Sequence, residues 1–294
     1  MSSVTQVQQV KGGRPFPWGR VLLYVILALF MLSVLIPFYW MLRTSLMAFG
    51  EIVAYPPRLI PQDWFNFSAY GKLFEQKQFI WGIRNSLVIS TVVVALTVVC
   101  STLGSYAVAR MRFPGKAWFM RGVIVVYMFP AVMLMIPMFV IMSRIRMTGT
   151  GGIRDVVGLI VVYLTQTMPV AIYMLSSYFI TVPEEIEEAG IVDGCTRWSV
   201  IYRITIPLSV PAIASVALYT FMIAWNEYMF AFILLKAKET LTLPIAFYRI
   251  FGQFNTAWDM VMAAAIVISV PVIIAFLASE KSFAQGLTAG GVKG

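Results

Sequence analysis

Apolar residues along this chain collect into six long blocks, 21–42, 85–109, 122–143, 156–182, 209–235 and 260–279, joined by shorter polar or charged connectors. Each block is nearly free of charge. Each also reaches the roughly 20 residues that a helix needs to cross a hydrocarbon core. A soluble fold can bury one or two such helices, not six, so the pattern predicts an all-α polytopic membrane protein. Composition agrees: 60% of residues are hydrophobic and 12% charged, against about 25% charged in soluble domains. Residues 1–20 are polar and basic, and the block that follows lacks an A-x-A cleavage signal, which predicts an uncleaved first span. Pro130, Pro137, Pro169 and Pro271 interrupt the blocks, as packing in membrane helices permits.

The net charge of +9 fits headgroup contact in such a protein and does not point to nucleic acid. Cys100 and Cys195 fall on segments facing different environments, which argues against a disulfide. Six spans place both termini on one side. Of the 22 Lys and Arg residues, half fall on each side, so totals do not orient the chain. Density differs slightly: Arg110, Arg112 and Lys116 crowd the seven-residue turn "RMRFPGK" hard against two spans, with Arg144, Arg146 and Arg154 nearly matching it opposite. The positive-inside rule then predicts cytoplasmic termini.

One connector is unlike the others. "EEIEEAGIVDGCTRWSVIYRITIPLSVP", residues 184–211, reads as an amphipathic helix-turn-helix between two spans. Thr181 and Glu184, with Pro183 between them, resemble a capping box. Glu184, Glu185, Glu187 and Glu188 suit the positive end of the helix dipole. Ala189, Gly190 and Gly194 leave one part of the helix bare, and Gly194 supplies a position that ends it. Trp198, Ile201, Tyr202 and Ile206 follow at helical spacing. This shape suits a docking knob for a partner. On composition alone, an amphipathic connector lying on the bilayer is the plainer reading.

The residue pattern favours docking. "EEAGIVDGCTRWSVIYRITIPLS" resembles the EAA signature of binding-protein-dependent ABC importer permeases, E-A-A-x-x-D-G-A, a spacer, then I-x-L-P. Glu188, Ala189, Asp193, Gly194, Ile204 and Pro207 match it, while Gly190, Cys195 and Ile206 are small or aliphatic replacements. "YAVARMRFPGK", "AWNEYMFAFILL" and the ending "GLTAGGVKG" are similar to the MalG-type permeases of carbohydrate importers, in an order that covers nearly the whole chain. The resemblance implies a type I importer permease fold, one peripheral N-terminal helix plus a five-helix core over 82–279. It assigns 43–81 to an external segment and 280–294 to a cytoplasmic tail. It further implies that the loop 181–208, through Glu188, Ala189, Gly190, Asp193, Gly194 and Pro207, couples to an ATPase. Gly286, Leu287, Thr288, Gly290, Gly291 and Lys293 of the tail would touch the same ATPase.

The partners so implied are a MalF-like second permease, an ATPase dimer, an external substrate-binding protein, a sugar and membrane lipid, in a bacterial or archaeal cytoplasmic membrane. Cofactors are expected only elsewhere. The chain has no G-x-x-x-x-G-K-[ST] loop, so ATP and Mg are expected on the ATPase. With no histidine, zinc sites of the H-E-x-x-H type and Ser-His-Asp triads are excluded, and neither a catalytic nor a metal site is expected. A secondary transporter or channel subunit is the rival. It would call for an internal repeat and an acid–base network within the spans, and only Glu227 is an acid clearly within them. Asn226, Glu227 and Tyr228 are candidate pathway-lining residues, with helix packing the alternative for Glu227.

Overall fold

The computed structural model describes residues 18–252 and 257–290, the side chains of 281–290 excepted. Eleven helices order the described residues: α1 Trp18–Ser45, α2 Ser68–Glu75, α3 Lys77–Arg110, α4 Lys116–Met128, α5 Met135–Arg144, α6 Ile153–Thr181, α7 Glu184–Val192, α8 Val210–Asn226, α9 Met229–Leu234, α10 Leu243–Phe251 and α11 Trp258–Gly290. Single turns and short loops join them, and no strand occurs among the described residues. Four helices are long and apolar enough to span unbroken, and two further apolar helix pairs are bent, Lys116–Met128 with Ala131–Arg144 and Arg197–Leu208 with Val210–Asn226.

The core forms around α3 and α6. Ser86, Ser90, Val93, Thr97, Ser101 and Ser105 run down one buried stripe of α3. Such small side chains let two backbones come close, the usual means of helix association where lipid removes the hydrophobic drive. Two hydrogen bonds stitch the contact, Thr97 Oγ1 to Thr167 Oγ1 at 2.9 Å and Ser105 Oγ donating to the Ile172 carbonyl at 3.0 Å. α8 closes over both helices, burying Val216 with Tyr106, Ala171, Leu175 and Phe179. The start of α6 is fastened by Asp155, which accepts hydrogen bonds from Thr150 N, Thr150 Oγ1 and Gly151 N.

Two expected spans are not single helices. The block 122–143 bends by 93° between α4 and the 3-10 turn Ala131–Leu134 that leads into α5. Its cause is local. Phe129 precedes Pro130, and proline pushes the residue before it out of the helical region; Phe129 and Pro130 both have extended ψ values, 127° and 119°. The block 209–235 ends as a helix at Asn226, because Glu227 is extended (ψ 128°) and α9 starts afresh at Met229. At 17 residues, α8 spans roughly 25 Å at about 1.5 Å per residue.

After α9 the chain turns back as the amphipathic α10, pinned against α3. The Asn85 amide donates to the carbonyls of Glu239 at 2.7 Å and Leu241 at 2.9 Å, and Leu243 N donates to Ser86 Oγ at 2.8 Å. Gly82 permits this approach: a Cβ there would lie 2.9 Å from that of Ala246.

α1 stands apart from this core. It is exposed along its length until Arg43, Thr44 and Ser45, and it rests on α11. Arg43 ties its end to the proline- and aromatic-rich segment that follows, donating to the Leu59 carbonyl at 3.2 Å and lying 4.5 Å over the Trp40 ring. The backbone of α11 remains helical to Gly290, past the expected end at 279. Residues 291–294, with Gly291 and Lys293, lie outside the described residues, as do the side chains of Leu287 and Thr288.

Candidate functional site: a clamped surface loop

Between α6 and α8 the chain forms a helical hairpin. α7 carries Glu184, Glu185 and Glu187 in its first turn, but the expected capping box does not form. Pro183 occupies the N-cap position without a side-chain bond, and the Thr181 hydroxyl instead donates back to the Tyr178 carbonyl at 2.7 Å. A threonine in the last turn of a helix finds that carbonyl nearer than the next helix's amides.

α7 ends as the glycine pattern predicts. Gly194 has φ +89°, a conformation that costs little only without a Cβ. Cys195 N donates to the Gly190 carbonyl at 2.9 Å and Gly194 N to that of Ile191 at 3.0 Å, the paired bonds of a Schellman cap. Thr196 then caps the next turn, accepting from Ser199 N at 3.3 Å. That second arm runs through Arg197–Val200, a π turn Ile201–Thr205 and Ile206–Leu208. It then bends 77° into α8.

Gly190 does not contribute to an open notch. It is buried, and a Cβ on it would collide with Ile204 of the second arm. The knob that uses this hollow comes from the same chain. Gly194, by contrast, faces open space. Glu188, Ala189, Asp193 and Pro207 are exposed. The apolar stripe expected of the second arm divides: Ile201 turns inward, while Trp198 (69% exposed) and Tyr202 (75%) face out beside Val192 at 87%. Exposed apolar side chains of this size make the outer face of the hairpin a candidate surface for contact with a partner or with lipid.

What holds the hairpin is Glu187, which its place in the sequence marks only as an acid suited to the helix dipole. Glu187 is buried between the ends of α3 and the second arm. It accepts from Arg110 Nε, Tyr106 Oη and Thr205 Oγ1, each at 3.1 Å. Arg110 also donates to the Val182 carbonyl at 2.7 Å and reaches Glu184 at 3.6 Å. A buried carboxylate needs this many partners to offset its desolvation. One signal was available in the sequence. Glu187 lies one turn before Gly190, the smallest residue of the helix, which puts both on the packed face.

The second candidate group sits at the far end of α8. Asn226 is exposed and donates back to the Met222 carbonyl at 2.8 Å, and Tyr228 is half-buried against Phe232 and Tyr248. Glu227 is engaged rather than free. Its carboxylate accepts from Tyr163 Oη at 2.8 Å, Phe230 N at 2.9 Å and Ala231 N at 3.1 Å. It thereby caps α9 and ties the α8–α9 break to the centre of α6. No cluster of metal-ligating side chains occurs among the described residues.

The model of the family described as "binding-protein-dependent transport system inner membrane component" matches residues 100–288, which include the hairpin, its clamp and the α8–α9 break. The chain belongs to this family. It is 41% identical over 279 residues to the inner membrane ABC transporter permease protein YcjP of Escherichia coli, covering 94% of this chain and 97% of the relative. The trehalose transport system permease protein SugB of Mycobacterium tuberculosis is 32% identical over 262 residues, covering 88% and 93%. A subunit of a bacterial ABC transporter involved in importing the acidic polysaccharide alginate superposes with TM-score 0.79 over 94% of this chain and 100% of that one, at 22% identity. That likeness shows the fold, a type I importer permease. The chain is accordingly a multi-pass transport subunit and not an enzyme.

Proposed function

We propose that this chain forms one half of the translocation pathway of an ATP-driven sugar importer and that residues 181–208 are its coupling element. Relatives named for trehalose transport at 32% identity and for trehalose/maltose transport at 30% support a di- or oligosaccharide as cargo. The other half is a MalF-like permease, an external binding protein delivers the sugar, and a separate ATPase dimer binds ATP and Mg. Both termini face the cytoplasm with the hairpin. Residues 43–81 lie outside, and the tail around 286–294 reaches the ATPase.

The Glu187 clamp carries this reading. A loop that only lies on a bilayer needs no buried ion pair, whereas one that transmits movement must be stiff and joined to the spans. Here the joint reaches α3 through Arg110 and α8 through the second arm. Closure of the ATPase on ATP would then move the spans as near-rigid bodies. Glu188, Ala189, Asp193, Gly194 and Pro207 lie on the exposed side with Val192, Trp198 and Tyr202. Gly190 contributes by packing the two arms together.

The test is co-expression with the neighbouring transport subunits, purification through a tag on this chain, and sugar uptake by the reconstituted complex. Recovery of an ATPase that Glu188→Lys releases supports the reading. An ATPase retained by Glu188→Lys with full uptake would remove the hairpin from the coupling role.

A further inference from the structure

We propose that a cleft at the break of the third span is a sugar-hydroxyl subsite on this subunit, with the Gln166 amide as its hydrogen-bonding group. Gln166 lies near the middle of the 29-residue α6. Its Nε2 is buried and finds no acceptor among the described residues. The cleft it lines encloses about 270 Å³ between α4, α5, α6 and α8, and Tyr127, Phe129, Thr165 and Tyr219 share its wall. A second cavity of about 400 Å³ adjoins it across Tyr127 and Pro169. The pair falls within the roughly 300–1,000 Å³ of small-molecule sites, which set a few polar groups among apolar and aromatic ones.

Two independent features call for a polar occupant. An amide nitrogen closed off at mid-span without a partner carries a desolvation cost. The chain break at Phe129–Pro130 opens on the same cleft, and non-helical backbone at membrane depth persists only where protein covers it or a watery cavity meets it. An acyl chain would answer neither feature. A sugar answers both, because its hydroxyl edge pairs with an amide and its C–H faces lie against tyrosine rings. The Thr165 hydroxyl is already donated to the Val162 carbonyl at 2.7 Å, so its lone pairs are free to accept from such a hydroxyl.

The inference rests on the importer reading above, and its test separates the two. The complete complex, with second permease, ATPase and binding protein, is reconstituted and offered radiolabelled trehalose, maltose and N,N′-diacetylchitobiose. Gln166→Leu removes the hydrogen bond while filling the same space. For whichever sugar the parent complex transports, the variant is expected to lower the maximal uptake rate about tenfold, the worth of about one hydrogen bond. The half-saturating concentration stays unchanged, since the external protein captures the sugar. The yield and thermal midpoint of the complex hold or rise, because an unpaired buried amide has gone. Gln166→Cys, with Cys100 and Cys195 replaced by serine, is expected to react with a membrane-impermeant methanethiosulfonate and to be shielded by that sugar.

Unchanged uptake by Gln166→Leu, or uptake falling only as far as complex yield falls, overturns the subsite and leaves the importer reading standing. So does a Gln166→Cys thiol that stays unreactive, which would mean that lipid or the second permease fills the cleft. A parent complex that retains no ATPase, or takes up none of the three sugars, overturns the importer reading and the subsite with it.

Discussion

Arg110, the last residue of α3, and Glu187, in the first turn of α7, meet at 3.1 Å with both side chains more than nine-tenths buried. The pair joins a spanning helix to the surface hairpin. Removing one member of a buried pair leaves an unpaired charge and costs about 3–5 kcal/mol. We expect Glu187→Gln to lower both the thermal midpoint of the complex and its uptake, although the amide can still accept from Tyr106 or Thr205. Glu188→Gln, one residue away and exposed, should shift stability by less than about 0.5 kcal/mol. Differential scanning fluorimetry on the purified complexes makes the comparison; equal midpoints for the two variants would show that the clamp bears no strain.

Docking should be carried by the outward side chains and not by those of the clamp. Trp198→Ala removes a large exposed ring, and a central interface tryptophan is worth about 2 kcal/mol or more, roughly 30-fold in affinity. Val192→Glu places a charge in the same surface. Both variants should insert and fold like the parent, judged by yield and thermal midpoint, yet lose ATPase in pull-downs. Retention of ATPase by both would place the contact elsewhere on the molecule.

The two glycines of the hairpin should respond to opposite tests. Gly190 is small because Ile204 fills its space, so Gly190→Ala overpacks the hairpin at a cost of about 1–3 kcal/mol. Adding Ile204→Val, which removes the Cδ1 that the new Cβ meets, should restore much of that loss. Gly194 has open space but a left-handed backbone, so Gly194→Asn should be tolerated and Gly194→Val should cost about 1–2 kcal/mol. Thermal midpoints of the five proteins check both ideas. Absence of rescue in the double variant would rule out the Gly190–Ile204 contact as the reason for a glycine.

Much of this arrangement was legible in the sequence, because apolar length and turn residues act locally. The apolar helical segments, the helix-ending Gly194 and the amphipathic hairpin all follow from near neighbours. The partners of Glu187 could not be read in that way: Arg110 lies 77 residues away and Thr205 on the opposite arm. The break at Phe129–Pro130 was partly legible. Proline marks the place, but a membrane proline is as compatible with a shallow kink as with a 93° bend, and surrounding helices decide between them. Gln166 is not legible from the sequence, because a lone amide in an apolar run carries no local sign of whether it has a partner.

Glu227 is the residue whose sequence reading the structure shifts most. A lone acid within a span suggests a lining role, and the extended backbone at Glu227 does place it at a break. Its oxygens, however, are spent on Tyr163, Phe230 N and Ala231 N, so little acceptor capacity is left for a passing sugar. Losing a helix cap costs about 1 kcal/mol, and leaving the Tyr163 hydroxyl buried and unpaired adds about 1–3 kcal/mol. Glu227→Gln keeps one acceptor oxygen and should assemble at reduced yield. Glu227→Leu keeps none and should assemble least. If the carboxylate serves to hold α9 in place, sugar uptake divided by the amount of intact complex should in both equal that of the parent. Quantified complex from size-exclusion chromatography, set beside uptake in the same vesicles, gives that ratio. A ratio that collapses in Glu227→Leu while yield stays high would return Glu227 to the pathway wall beside Asn226 and Tyr228.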